Sequence, residues 1–128
     1  MRIDHAALYC LDLEATRDFF VKYFDCSVND LYHNPRTGLR TYILSFPDGG
    51  ARLEIMSRPE VTDTLGPRIR HGFIHLSISV GSEEAVDAKA KELDSAGYAC
   101  VDGPRTTGDG YYEAQVTGPE GMALEITV

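Results

Sequence analysis

The chain carries one passage twice. Pro47-Asp48-Gly49-Gly50-Ala51-Arg52-Leu53-Glu54-Ile55 returns, one residue shorter, as Pro119-Glu120-Gly121-Met122-Ala123-Leu124-Glu125-Ile126. Each copy reads as a turn running into a strand, and well upstream of each lies a short strand with a histidine, His5 in the first half and His75 in the second. The histidine and glutamate are 49 residues apart in one half and 50 in the other. A repeat constrains the architecture more than local propensity does, because each copy must build the same supersecondary unit.

The remaining pattern agrees with two equivalent halves. Residues 2–10 read as a strand, and Asp12 is placed to cap a helix that runs to about Phe24, with Leu13, Phe19 or Phe20, and Tyr23 or Phe24 on its apolar side. Strands are expected near 27–32, 39–46 and 51–57. In the second half a strand over 72–80 precedes Ser82, which caps a helix that carries Glu83 and Glu84 in its first turn and is closed by Gly97. Strands near 98–102, 110–117 and 122–128 complete it. The order strand, helix, three strands, written twice, predicts a single α+β domain of two βαβββ modules, about 1–58 and 71–128. If each three-strand meander folds back on the opening strand, the glutamate of each module lies beside its histidine.

Strand side chains alternate between faces, so the surroundings of the four residues can be read directly. Glu54 lies between Arg52 and Met56, opposite Leu53 and Ile55; Glu125 lies between Ala123 and Thr127, opposite Leu124 and Ile126. His5 shares a face with Ala7 and Tyr9, and His75 one with Ser77 and Ser79, again opposite the apolar set. A strand histidine or glutamate taken alone is ordinarily a hydrogen-bonded or solvated residue; the repeat and the common facing make His5, Glu54, His75 and Glu125 a candidate metal set. Two carboxylates cancel a divalent charge, and mixed nitrogen and oxygen donors suit zinc, nickel, cobalt, iron or manganese rather than calcium. With four protein ligands, a six-coordinate ion keeps two positions for substrate. His33 and His71 lack the repeat and read as loop or strand-end residues.

Charge and composition remove other classes. Of 128 residues, 20 are acidic and 12 basic, a net charge of −8 that repels a nucleic-acid backbone. No run approaches the ~20 apolar residues of a membrane helix, and the N-terminal residues lack a signal-peptide pattern, so a cytoplasmic protein is expected. Cys10, Cys26 and Cys100 are odd in number and widely spaced, which suits reduced thiols rather than a disulfide framework.

The quartet and the paired modules resemble the vicinal oxygen chelate superfamily, the glyoxalase, bleomycin resistance and dihydroxybiphenyl dioxygenase fold. The likeness covers essentially the whole chain. In order and spacing, His5, Glu54, His75 and Glu125 resemble the ligands of bacterial glyoxalase I, the lactoylglutathione lyase. Related dioxygenases and thiol transferases offer two histidines and one glutamate, with no carboxylate at the position of Glu54. The resemblance implies one divalent metal, nickel, cobalt or zinc, and a homodimer whose metal sites are shared between chains. It implies a small-molecule substrate, such as a thiol adduct of a 2-oxoaldehyde, and proton transfer through a metal-stabilised enediolate. Glu125 matches the family's usual base and Glu54 is its partner, which makes both catalytic as well as metal-binding. The alternatives on the same scaffold are a dioxygenase, a thiol transferase, or a metal-free module that binds a small molecule or confers resistance.

Two positions depart from the glutathione-binding pattern. Tyr9 stands where the bacterial enzyme has an arginine and Arg58 where it has an asparagine. Arg58, Arg68, Arg70 and Arg105 offer another route to an anionic substrate, or are solvated loop arginines. The segment from Gly103 to Gly110 is rich in breakers and reads either as a lid or as a long turn.

Overall fold

The computed structural model describes residues 2–62 and 71–128. The chain forms two compact units, Met1–Thr64 and Leu65–Val128. Arg68 and Arg70 lie outside the described residues.

The first unit opens with β1 (His5–Tyr9), followed by α1 (Leu13–Phe24), β2 (Ser27–Val28), β3 (Tyr32–Asn34), β4 (Leu39–Ser45) and β5 (Arg52–Ser57). Asp12 caps α1 as expected, its Oδ1 accepting from the Ala15 amide at 2.9 Å. The helix buries Leu13, Thr16, Phe19, Phe20, Tyr23 and Phe24, a stripe with the three-and-four spacing of an amphipathic helix. The apolar residues of that stripe, with Cys10, Cys26 and the sheet residues Tyr42, Leu44, Leu53 and Ile55, form the core of the unit. Phe20 is fully buried and meets the ring of Phe46 edge-on at 6.4 Å.

The sheet order is β1-β5-β4-β2, with β3 also on β4. The expected strand over 27–32 is split in two. Asn29 takes over the ladder between the pieces, its side chain accepting from the Ile43 amide at 2.6 Å, so Val28 pairs with Leu44 but Tyr32 with Thr41. One residue of β2–β3 is thereby left over, as in a bulge.

The second unit repeats the plan with β6 (Leu76–Ser79), α2 (Glu83–Ser95), β7 (Cys100–Thr106), β8 (Tyr112–Thr117) and β9 (Ala123–Thr127), in the order β6-β9-β8-β7. Ser82 caps α2 through the Ala85 amide, and Gly97 leaves the helix at φ 92° while the Tyr98 amide bonds back to the Leu93 carbonyl. Val86, Ala90 and Leu93 form the buried stripe of α2, and Ile78, Ala114, Val116, Leu124 and Ile126 are the buried apolar residues of the sheet.

Two expectations for this half are corrected. The strand expected over 72–80 is regular only over Leu76–Ser79, so His75 lies one residue before it; Gly72, at φ 116°, turns the chain just upstream. The first half of the breaker-rich segment is strand, and only its second half is turn. Gly103 to Thr106 belong to β7, where Arg105 pairs with Glu113 and Thr106 with Tyr112 across register shifts. Only a tight turn remains, closed by Thr107, whose amide bonds the Tyr111 carbonyl and whose Oγ1 accepts from the Tyr111 amide.

In both units the closing strand lies parallel to the opening one. β1 pairs with β5 and β6 with β9, which is the fold-back that brings each module's histidine and glutamate together. Among the described residues no helix is long and apolar enough to cross a membrane.

Candidate metal centre

The two ladders share one register. Glu54 stands opposite Ala7, two residues beyond His5; Glu125 stands opposite Ser77, two residues beyond His75. The parallel pairing therefore sets each imidazole diagonally across from a carboxylate on the same face. His5 Nε2 is 3.8 Å from Glu54 Oε2, and His75 Nε2 is 3.5 Å from Glu125 Oε2. The neighbours Leu53, Ile55, Leu124 and Ile126 point the other way and are buried, so each pair lies on the face turned from the helix.

The donor geometry fits a cation. Both separations exceed a normal hydrogen bond. Two donors at ~2.1 Å from one metal, subtending ~90–110°, stand ~3.0–3.4 Å apart, so a small side-chain adjustment brings each pair onto an ion. His5 has the outer support typical of a metal-bound imidazole. Its Nδ1 is 3.0 Å from Asp4 Oδ2, which fixes the tautomer that leaves Nε2 free to ligate. Asp4 also binds the Arg52 guanidinium, and these two partners, His5 first, hold its carboxyl below the usual range.

The predicted quartet is thus present as two pairs, one per unit. Among the described residues no group of three or more His, Cys, Asp or Glu side chains is placed to hold a metal. His33, on β3 opposite Arg40, and His71 take no part in either pair.

The surroundings of the two glutamates differ. Ser77 donates its hydroxyl to Glu125 Oε1 at 2.6 Å, whereas Ala7, in the matching place, has no hydroxyl to offer Glu54. On the other side Glu125 pairs with Gln115 and Glu54 with Ile43. Glu113 is an acidic residue that the sequence reading passed over. It is 9 % exposed, hydrogen-bonds Glu125, and its carboxyl is pushed up by burial and then by the charge of Glu125. The alternation in β8 carried the signal, because Glu113 shares a face with Gln115 while Ala114 and Val116 are buried opposite.

Of the arginines considered for an anionic substrate, Arg58 and Arg105 are engaged by carboxylates. Arg58 binds Glu60 through Nε and Nη2 at 2.8 and 2.9 Å and also bonds Tyr9, which raises its pKa and draws Glu60 down to about 2. Arg105 is held by Asp102. Neither guanidinium is left as a bare anion clamp. Cys10, Cys26 and Cys100 form no disulfide, and burial pushes Cys26 up to about 11, far from thiolate chemistry.

This fold is a known one. A family model described as the Glyoxalase/Bleomycin resistance protein/Dioxygenase superfamily matches residues 2–126, and the chain belongs to that superfamily. Its structure is similar to a glyoxylase/bleomycin resistance protein/dioxygenase domain from Frankia sp. EAN1pec, with a TM-score of 0.83, 20 % identity, and coverage of 100 % of this chain and 97 % of that one. A glyoxalase I mutant from Zea mays superposes with a TM-score of 0.76 at 20 % identity, over 98 % of this chain and 44 % of that one. A mutant of the fosfomycin resistance protein FosX from Listeria monocytogenes, complexed with Mn(II) and 1S,2S-dihydroxypropylphosphonic acid, superposes with a TM-score of 0.73 at 17 % identity, over 98 % and 90 % of the two chains. At these identities the likeness is one of fold. No curated protein sequence matches the chain.

Proposed function

We propose that this chain is a metal-dependent lyase or isomerase of the glyoxalase I type, acting on a thiol adduct of a 2-oxoaldehyde or a similar small carbonyl compound. The observation that carries it is the repeated offset: in each module a histidine and a glutamate meet across a parallel ladder at 3.8 and 3.5 Å. His5, Glu54, His75 and Glu125 are then the two halves of one metal shell. The shell is completed by pairing modules across a homodimer. Nickel, cobalt or zinc suits this donor set.

The bound cation supplies Lewis acidity, lowering the cost of removing a proton from the carbon next to a carbonyl. The chain's own part is acid–base work. A glutamate oxygen takes the carbon-bound proton and delivers it to the neighbouring carbon, while the second glutamate stays in place. The presence of Glu54 supports this over the superfamily's oxygen-activating and thiol-transfer chemistries, because it provides a second carboxylate able to carry a proton. Recognition of the rest of the substrate falls to Tyr9 and its neighbours on the same face. Arg58 is already committed to Glu60.

Full-length protein loaded with nickel, cobalt or zinc, assayed with methylglyoxal plus glutathione, bacillithiol or other thiols, is expected to form the 2-hydroxyacyl thioester. Metal bound at one ion per site with no turnover of any adduct would remove the lyase assignment; oxygen uptake with catechols after anaerobic iron loading would replace it with a dioxygenase.

A further inference from the structure

The register of the first sheet sets a second row of side chains beside its metal pair. Tyr9 of β1 pairs with Met56 of β5, Met56 with Thr41 of β4, and Thr41 with Tyr32 of β3. Register partners share a face, and Tyr9 and Met56 follow His5 and Glu54 by even steps, so the row lies on the face of the pair, one step along β5 from Glu54. Thr41 is 6 % exposed, whereas the tyrosines at the ends, Tyr9 and Tyr32, are 51 % and 53 % exposed. The row is a shallow saddle, two rings standing over a thioether and a short threonine, roughly 14 Å from end to end at the strand spacing.

The arginines that alternation puts on this face are already paired. Arg52 binds Asp4, and Arg58, just past β5, binds Glu60 and bonds the side chain of Tyr9. A carboxylate laid on the row would meet two rings and no uncommitted arginine. The matching row of the second module has the opposite character: Ser79, Thr127, Glu113 and Arg105 pair in turn across β6, β9, β8 and β7, and all four are polar. The repeat makes the histidine–glutamate pairs alike and leaves these rows to differ. Ring faces and a polarisable sulfur favour a flat apolar group.

We propose that Tyr9, Met56, Thr41 and Tyr32 form the subsite for a neutral aromatic group of the substrate, so that the adduct taken up is an aromatic one rather than that of a charged peptide thiol. The inference rests on the glyoxalase-type reading and names the substrate class of that site. The ring enters with either component, an aromatic 2-oxoaldehyde or an aromatic thiol.

One arm of the test needs no turnover. Hydroxamates hold a metal through two adjacent oxygens, and benzohydroxamate differs from acetohydroxamate in carrying a phenyl in place of a methyl group. Calorimetry on nickel-loaded full-length protein is expected to show benzohydroxamate favoured by about tenfold, after correction for the two affinities towards free nickel. Tyr32→Ala, at an exposed position, lowers that preference to about twofold, and Tyr32→Phe, which keeps the ring, retains it. In the second arm, phenylglyoxal with 2-mercaptoethanol or methylglyoxal with benzyl mercaptan is expected to exceed methylglyoxal with glutathione in kcat/KM by about tenfold; whichever leads identifies the component that carries the ring. An unchanged hydroxamate preference in Tyr32→Ala overturns the subsite, and loss of self-association in the same variant would make the row an interface between copies instead. Turnover as fast or faster with methylglyoxal and glutathione overturns the substrate class while the lyase reading stands. No turnover of any adduct, with the preference still dependent on Tyr32, removes the lyase reading and leaves the aromatic subsite. Failure of the wild type to bind nickel removes both.

Discussion

Asp4 Oδ2 lies 3.0 Å from His5 Nδ1, while the other ring nitrogen of His5 faces Glu54. The carboxylate, imidazole and free Nε2 form a line of the kind that orients a metal ligand and raises its basicity. In the second module the residue before His75 is Ile74, so no carboxylate stands in the matching position of the sequence. Outer support thus falls on the imidazole in one module and on the carboxylate in the other. Asp4→Asn keeps the shape but loses the charge, and it is expected to weaken divalent metal binding by about tenfold. Asp4 is exposed, so the unfolding midpoint of the metal-free protein should hardly move. Titration with nickel or cobalt checks the first outcome, and denaturant unfolding the second. Equal affinity in the variant and the wild type would remove Asp4 from the site.

Loss of a ligand is expected to be harsher than loss of its support. His75→Ala should leave the purified protein without metal, and Glu54→Gln, which keeps one neutral oxygen donor, should bind more weakly but measurably. Metal content by elemental analysis, beside the wild type, decides it. Full metal occupancy in His75→Ala would show that the second module does not ligate. His33 and His71 serve as controls, because substitution of either should leave the metal content unchanged.

Much of this arrangement was legible before any coordinates. The repeat located both histidine–glutamate pairs, and Asp12, Ser82 and Gly97 marked helix ends that the backbone then adopts. What escaped depends on cross-strand register, which alternation along one strand does not supply. The sequence puts Ser77 on the face of His75, but only the pairing of β6 with β9 puts it opposite Glu125. Alternation in β8 sets Glu113 on the face of Gln115, but only the pairing of β8 with β9 brings that face beside Glu125. The split at Asn29 escaped because a side-chain oxygen substitutes for a backbone acceptor there, and composition does not distinguish this from an ordinary strand residue. The segment after Gly103 was misjudged because breakers usually end strands, whereas here glycine lets β7 bend while staying paired.

Gly103 makes that point measurable. Its φ is 81°, and a Cβ added there would lie 2.6 Å from the Glu113 carbonyl oxygen and 3.2 Å from the Ala114 Cα. Both obstacles are backbone, so neither can swing aside. Gly103→Ala is expected to destabilise the protein by about 1–3 kcal/mol, through the left-handed conformation and the clash together. Equilibrium urea unfolding measures it. A variant as stable as the wild type would mean that β7 and β8 can separate locally without cost.

The acidic residue that lies beneath the second pair gives the molecule a pH dependence of definite sign. Glu113 is nearly buried beside Glu125, and its carboxyl is raised above the ordinary 4.5 by burial first and by the neighbouring charge second. A raised carboxyl means that the folded chain holds a proton that the unfolded chain has already lost. Its contribution to stability is therefore complete below about 4.5 and is lost as pH rises through the higher folded value. Glu113→Gln cannot ionise and escapes that loss. In metal-free protein the variant should be more stable than the wild type at neutral pH, with the difference shrinking as the pH falls towards 4.5. Urea midpoints of both proteins across this range test it. A difference that stays constant with pH would mean that Glu113 titrates alike in the folded and unfolded chains and that Glu125 does not press on it.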